Sequence, residues 1–158
     1  MDVRLRPLRD DEFDAYVAHG QAEYARGMID QAGVPPEAAE AKAERDWTTL
    51  LHQRLESPGQ FLFAVEDAAS DERVGDLWYA ERDNDVGEKA AFVYSIEIFE
   101  RFRGRGLGRQ AMLLIEEEAR SRGLAQISLN VFGGNDVARA LYRSLGYADV
   151  AVFMGKDL

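Results

Sequence analysis

The hydrophobic positions change their spacing near residue 60, and this change separates two kinds of predicted element. Before it, apolar or small residues recur at helical spacing over residues 13–28 and again over residues 43–55. Asp10 can cap the first helix, and Pro35 and Pro36 suit the first turn of the second. The N-terminal third is therefore predicted to form two amphipathic helices, the second of which ends at a Ser-Pro-Gly break.

After residue 60 the pattern becomes that of strands. The runs FLFAV and VGDLWYA flank a polar turn and predict an antiparallel hairpin, and AFVYSIEIF predicts a third strand, buried on both faces. The chain then alternates a glycine-rich segment, a helix ended by Gly123, the strand QISLNVF, a helix capped by Asn135, and a last strand, AVFMGKDL. This order implies at least one parallel strand pair, and it predicts a mixed-sheet α/β fold.

The amino-acid composition mainly excludes certain kinds of site and protein class. A length of 158 residues is typical of one compact domain, so residues 1–158 are expected to form a single domain. Without cysteine the chain can have no disulfide, thiolate zinc site or cysteine nucleophile, and a reducing compartment suits it. We find no apolar stretch long enough for a signal peptide or a membrane span, and we therefore expect a cytoplasmic protein without a membrane partner.

The formal net charge of −10 disfavours nucleic acids and anionic lipid surfaces and favours cationic small molecules. The stretch RFRGRGLGR reverses that charge locally, since it contains four arginines and no acid. Its glycines at positions 104, 106 and 108 can expose successive backbone N–H groups just before a predicted helix N-terminus. The segment thus predicts an anion site, although clustered arginines also occur as a solvated face.

Two known phosphate motifs are absent. The P-loop pattern does not occur, and the dinucleotide pattern G-x-G-x-x-G would need glycine at the position of Arg109. The segment Arg103-Gly104-Arg105-Gly106-Leu107-Gly108 instead resembles the acetyl-CoA loop of the GCN5-related N-acetyltransferase (GNAT) superfamily. Downstream, NVFGGNDVARALYRSLGY is similar to that family's second half-motif, with Asn135, Tyr142, Gly146 and Tyr147 in the matching places. Glu100 departs from the family, where proline is common.

The resemblance implies direct transfer of an acetyl group from acetyl-CoA, the donor substrate, to an amine acceptor. Backbone groups at Ile98 and Phe99 would contact the pantetheine arm, and an N–H there would polarise the thioester carbonyl. Tyr142 would protonate the leaving sulfur, the alternative being a core tyrosine with solvent as the proton source. Glu97, on the strand face opposite Ile96 and Ile98, would be the general base, directly or through water, the alternative being a structural carboxylate. The implied cofactor-binding residues are Ile98, Phe99, Arg103, Gly104, Arg105, Gly106, Leu107, Gly108, Arg109, Asn135 and Tyr142.

Other polar and aromatic residues carry weaker predictions. His19 and His52 lie on predicted helices, where a lone histidine is more often structural than a base. Five aromatic residues could line an acceptor pocket, but their spacing favours the core: Tyr16, Tyr24, Trp47, Trp78 and Tyr79. The acidic pairs Asp10-Asp11 and Asp83/Asp85 are interpreted as a cap and a turn, and no metal site is expected.

Two other functions remain open from the sequence. A non-catalytic acyl-CoA sensor or partner-binding module would keep the loop without the proton chemistry. Nucleic-acid binding through the arginine cluster is opposed by the net charge. The resemblance does not identify the acceptor amine, and homodimers are common in the family.

Overall fold

The computed structural model describes residues 1–158 and contains five strands and four helices. Short 3₁₀ turns at Arg54–Glu56 and Glu100–Phe102 complete the regular structure. The elements in chain order are β1 (Val3–Pro7), α1 (Asp10–Ala32), α2 (Pro36–Leu50), β2 (Gln60–Asp67), β3 (Arg73–Asp83), β4 (Lys89–Ile98), α3 (Leu107–Ser121), β5 (Ile127–Leu129) and α4 (Asp136–Ser144).

The five strands form one mixed sheet in the order β1-β2-β3-β4-β5. The first four strands pair antiparallel, and β5 pairs parallel to β4. The parallel pair exists because α3 crosses over the sheet between the two strands, as a parallel connection requires. The predicted mixed-sheet α/β fold is therefore confirmed.

The helices pack in layers on the two sheet faces. One cluster of buried side chains joins α3 to the sheet and includes Leu77, Val93 and Ile115. A second cluster joins α1 and α2 to the opposite face and includes Trp47 and Trp78. None of the four helices has both the length and the apolar composition required to cross a membrane.

The sequence pattern did not predict strand β1. Its alternation of Val3 and Leu5 with Arg4 and Arg6 is the signal of a half-buried strand, but a run of five residues is short. The predicted cap at Asp10 is also wrong by one position, since Arg9 is the N-cap and Asp10 opens the helix. The N–H of Arg9 donates to Glu12 Oε2 at 2.9 Å, so the side chain of Glu12 takes the capping role.

Glu12 joins the start of α1 to the edge of the sheet. Its carboxylate accepts hydrogen bonds from the guanidinium of Arg6, at 2.8 and 3.0 Å, and its side chain is only 13% exposed. The bonds to Arg6, together with the N–H of Arg9, lower the pKa of Glu12 from 4.5 to about 2. The ionised carboxylate therefore stabilises the folded chain.

We expect Glu12→Gln to lower the free energy of unfolding by about 2 kcal/mol at pH 7, on the basis of about 1.4 kcal/mol per pKa unit and allowing for solvent screening. Because the folded pKa is depressed, this stabilisation is present above pH 4.5 and is lost as the pH falls toward 2. Urea unfolding from pH 7 to pH 3 measures it, with Glu117→Gln, at an exposed position on α3, as the control. Equal pH dependence in wild type and Glu12→Gln would contradict the prediction.

The C-terminal segment does not form the predicted last strand. Residues 145–158 contain no helix or strand, and Val150, Val152, Phe153 and Met154 are largely exposed. The segment begins with an apolar run, but a strand also needs hydrogen bonds from a neighbouring edge. The last backbone hydrogen bonds in this part of the chain close the end of α4, at Gly146 and Tyr147.

Candidate active site

The sheet opens where β5 leaves β4. The two strands pair only over residues 91–93 of β4 and 127–129 of β5. The prediction that β4 is buried on both faces is therefore correct for Ala90–Val93 and wrong for Tyr94–Ile98, which are half-exposed. The register against β3 shifts at Tyr94, a bulge at the point where the open edge begins. The result is a cleft bordered by the second half of β4.

The backbone of β4 presents polar groups to this cleft. The N–H of Phe99 donates to Val74 O at 2.9 Å, on the side of β3. Because successive backbone groups alternate between the two edges of a strand, the N–H groups of Ile98 and Ile96 face the open side. The predicted role of Phe99 is not supported, since its N–H is engaged and its carbonyl accepts from Phe102 N. The hydrogen-bond donors on the open edge are therefore the backbone N–H groups of Ile96 and Ile98.

The loop after β4 keeps its amide groups free. None of the six N–H groups from Gly104 to Arg109 donates to a backbone carbonyl, and no side chain caps the N-terminus of α3. Gly104 and Gly106 have φ values of 75° and 76°, in the left-handed region that favours glycine. A Cβ at either position would meet no atom within 4 Å, so their faces are open. Six free donors at a helix N-terminus form an anion cradle.

The arginines around this cradle differ in their partners. Arg103 Nε donates to Ile98 O at 2.8 Å, which fixes the loop against the end of β4. Arg105 donates to Arg101 O, and Arg109 donates to the hydroxyl of Ser144 on α4. Neither Arg105 nor Arg109 is paired with a carboxylate, so both charges remain available to an anion.

Helix α4 begins after Asn135 and carries Tyr142. Asn135 Oδ1 accepts from Ala138 N at 3.2 Å, which confirms the predicted helix cap. Tyr142 lies at the margin of the cluster between α3 and the sheet, and its ring is 5.8 Å from that of Tyr147. Burial raises the pKa of Tyr142 above its ordinary value. The phenol therefore stays protonated over the whole neutral range.

Glu97 lies on the other face of β4, as its alternation with Ile96 and Ile98 predicted. Its Oε2 is 2.8 Å from His19 Nε2 on α1, and its Oε1 is 3.6 Å from Arg103 Nη2. Across the sheet it lies opposite Asp76, whose pKa is raised because burial and the nearby charge of Glu97 outweigh the ion pair with Arg73. The carboxylate of Glu97 is thus held by groups from α1 and from the loop.

The predicted acceptor aromatics are mostly core residues. Four of the five are buried, namely Tyr16, Trp47, Trp78 and Tyr79, as the interpretation of their spacing favoured. Tyr24 is half-buried, beside the cluster between α1 and α2. The sequence carries only a weak prediction for His19, yet in the fold its imidazole contacts the carboxylate of Glu97. Only a prediction of how α1 crosses β4 could have found this contact, since the two residues are 78 positions apart.

Comparison with known proteins tests the family resemblance. The sequence profile described as Acetyltransferase (GNAT) family matches residues 21–147. The chain belongs to this family. The match includes the glycine loop, the free end of β4 and α4, so the resemblance drawn from residues 103–108 and 130–147 is confirmed.

Relatives of this GNAT protein align with it over all or nearly all of its length. YycN of Bacillus subtilis (strain 168), an uncharacterized N-acetyltransferase, is 33% identical over 159 residues, which cover 100% of both chains. The crystal structure of YycN superposes with a TM-score of 0.91 at 31% identity, over 99% of this chain and 98% of that one. A mycothiol acetyltransferase of Propionibacterium freudenreichii is 28% identical over 97% of this chain, which matches 45% of that longer protein. This GNAT protein is therefore an acetyltransferase in the general sense.

Proposed function

We propose that the protein transfers the acetyl group of acetyl-CoA to a primary amine of a small molecule, peptide or protein. The observation that supports this most is the row of six free N–H groups from Gly104 to Arg109. Such a row suits the diphosphate of a coenzyme, because both phosphates can accept from neighbouring amides at the positive end of α3. Arg105 and Arg109 supply further charge at the rim.

The rest of the acetyl-CoA molecule can lie in the cleft along β4. From the loop, an extended chain can follow the unpaired edge of Tyr94–Ile98 toward the bulge. The N–H of Ile98 can donate to the amides of a pantetheine arm or to the thioester oxygen. Asn135 uses its oxygen as a helix cap, which leaves its amide NH₂ for the ligand.

The two predicted catalytic residues lie on opposite faces of β4. Glu97 faces α1, where an amine acceptor would approach, and Tyr142, on α4, packs on the side of α3, where the sulfur would leave. The amine attacks the thioester carbon directly, the C–S bond breaks, and the nitrogen gives up one proton to a base or to solvent. The thiolate takes a proton from Tyr142 or from solvent, and solvent reprotonates Tyr142. A chain without cysteine suits this direct route, since no acyl-cysteine intermediate is needed.

The charges on the α1 side of β4 favour a protonated amine as acceptor. The nearest ligating atoms of His19, Glu23 and Glu97 lie within 4.8 Å of one another, and Asp76 lies opposite Glu97. Together with the net charge of −10, these carboxylates attract a cation and repel an anionic acceptor. We propose that the 158 residues act as one domain, in the cytoplasm, without nucleic acid or membrane as partner.

Thiol release from acetyl-CoA across a panel of amines tests the proposal. The panel contains polyamines, amino acids, aminoglycosides and peptides with free N-termini, and a matched carboxylic acid serves as the anionic control. We expect release with at least one amine and none with the acid. Acetyl-CoA itself should stabilise the protein by about 2.7 kcal/mol at a hundredfold excess over its Kd. Stabilisation without thiol release from any amine would make the protein a sensor instead.

A further inference from the structure

His19 and Glu97 form a dyad at the mouth of the cleft. His19 Nε2 is 2.8 Å from Glu97 Oε2, and the imidazole packs edge-on against the ring of Phe99, with 5.9 Å between the centroids. The hydrogen bond and the aromatic contact together restrict rotation of the imidazole. Its side chain is 43% exposed, whereas that of Glu97 is 18% exposed. Of the two, the histidine is the group that an incoming acceptor reaches first.

The hydrogen bond sets the tautomer of the imidazole. An ionised carboxylate can only accept, so the neutral imidazole must carry its hydrogen on Nε2. Its Nδ1 then holds a free lone pair, and no side chain or backbone group of the protein donates to it. This is the arrangement in which a carboxylate orients a histidine as a base.

Glu97 itself is poorly disposed to accept the proton directly. One of its oxygens faces His19 Nε2 and the other faces the guanidinium of Arg103. The imidazole of histidine is also the side chain that most often acts as a general acid or base in enzymes.

We propose that His19 is the proton acceptor of the transfer reaction and that Glu97 is the positioning residue that holds it. The inference rests on the proposed function. The first proton passes from the ammonium nitrogen to His19 Nδ1, and the freed lone pair forms the C–N bond. The C–S bond then breaks, the nitrogen loses its second proton to solvent, and the thiolate takes up a proton from Tyr142 or from solvent. Glu97 stabilises the imidazolium until His19 returns the proton to solvent. This assignment changes the sequence-based expectation, in which Glu97 was the base.

Charged groups on three elements face the dyad. Glu23 lies one turn further along α1, Asp76 and Arg73 lie on β3, and Arg103 lies in the loop. The buried hydroxyl of Tyr16, one turn before His19, has no hydrogen-bond partner and is subject to the charges of Asp76 and Glu97. The carboxylates around the dyad favour a cationic acceptor at this position.

The kinetic test uses four single variants and one double variant. His19→Gln should lower kcat/KM about a hundredfold and flatten the pH profile of the wild type. Glu97→Gln should cost only about tenfold, since an amide oxygen still accepts from Nε2–H, and the double variant should match His19→Gln alone. Added imidazole should restore part of the rate of His19→Ala. His52→Gln, at the other histidine of the chain, should be unchanged.

A second measurement does not depend on activity. With only two histidines, the ring ¹⁵N resonances can be assigned from His52→Gln, and we expect His19 in the Nε2–H tautomer. A His19→Gln variant with the pH profile of the wild type, or a His19 in the Nδ1–H tautomer, would overturn the proposal. Activity lost in EDTA and restored by Zn²⁺ would also overturn it. A wild type that releases no thiol while His19 keeps the Nε2–H tautomer would overturn the proposed function but leave the dyad standing.

Discussion

The substitution Gly106→Glu is expected to weaken acetyl-CoA binding by more than about a hundredfold, or about 2.7 kcal/mol. The glycine has φ 76° and lies between free amide groups, so a side chain there projects toward the anion rather than into the core. Glutamate adds bulk and a negative charge where a diphosphate would accept hydrogen bonds, and it adds left-handed strain of about 1 kcal/mol or more. Isothermal titration calorimetry measures the loss.

The chain contains a matched control for this change. Gly87, in the turn between β3 and β4, has φ 80°, and a Cβ there would also meet no atom within 4 Å. Gly87→Glu therefore introduces the same strain and the same charge away from the cradle, and it should bind acetyl-CoA as the wild type does. Comparable Kd values for Gly106→Glu and Gly87→Glu would remove the glycine loop from the donor site.

The parts of this site that the sequence predicted are those formed by short segments. The turn at residues 103–108, the start of α3 and the cap of α4 at Asn135 depend on residues within one or two turns of each other. Glycine conformation and capping act at that range, so their residues indicate the structure directly. The free amides of the cradle follow from the same local geometry.

The features that the sequence did not predict depend on contacts between residues that are distant in the chain. Strand β1 exists because residues 3–7 pair with residues 63–67 of β2, and the segment AVFMGKDL forms no strand because no edge pairs with it. Strand β1 alternates apolar and charged residues, whereas the last segment begins with an apolar run, and neither pattern shows whether a partner edge is present. The partial exposure of Tyr94–Ile98 likewise follows from the short reach of β5.

The site residues also divide into those placed by local rules and those that depend on distant contacts. Glu97 was placed on the correct face of β4 by alternation, a local rule. Its contact with His19 requires α1 to cross the end of β4, which depends on the packing of the whole helix layer. A histidine on a predicted helix gives no sign of such a partner, which is why its role emerged only from the fold.

The second large effect is expected at Tyr142. Tyr142→Phe should lower kcat about a hundredfold and change the Kd of acetyl-CoA by less than about threefold. Phenylalanine keeps the ring that packs beside Tyr147 and removes only the hydroxyl, so binding contacts survive while the donor to the sulfur is lost. Steady-state kinetics with the best amine of the panel, together with calorimetry of acetyl-CoA binding, separates the two quantities.

The direction of the pKa shift refines what this hydroxyl can do. An ordinary phenol, near pKa 10, protonates a thiolate of about 8.5 at a cost of about 2 kcal/mol, and burial raises the pKa of Tyr142 further. Burial penalises the thiolate as well, so the hydroxyl acts best as a hydrogen-bond donor that stabilises charge on sulfur as the C–S bond breaks. Tyr147→Phe removes a neighbouring hydroxyl and should leave kcat near that of the wild type. Undiminished kcat in Tyr142→Phe would assign protonation of the sulfur to solvent.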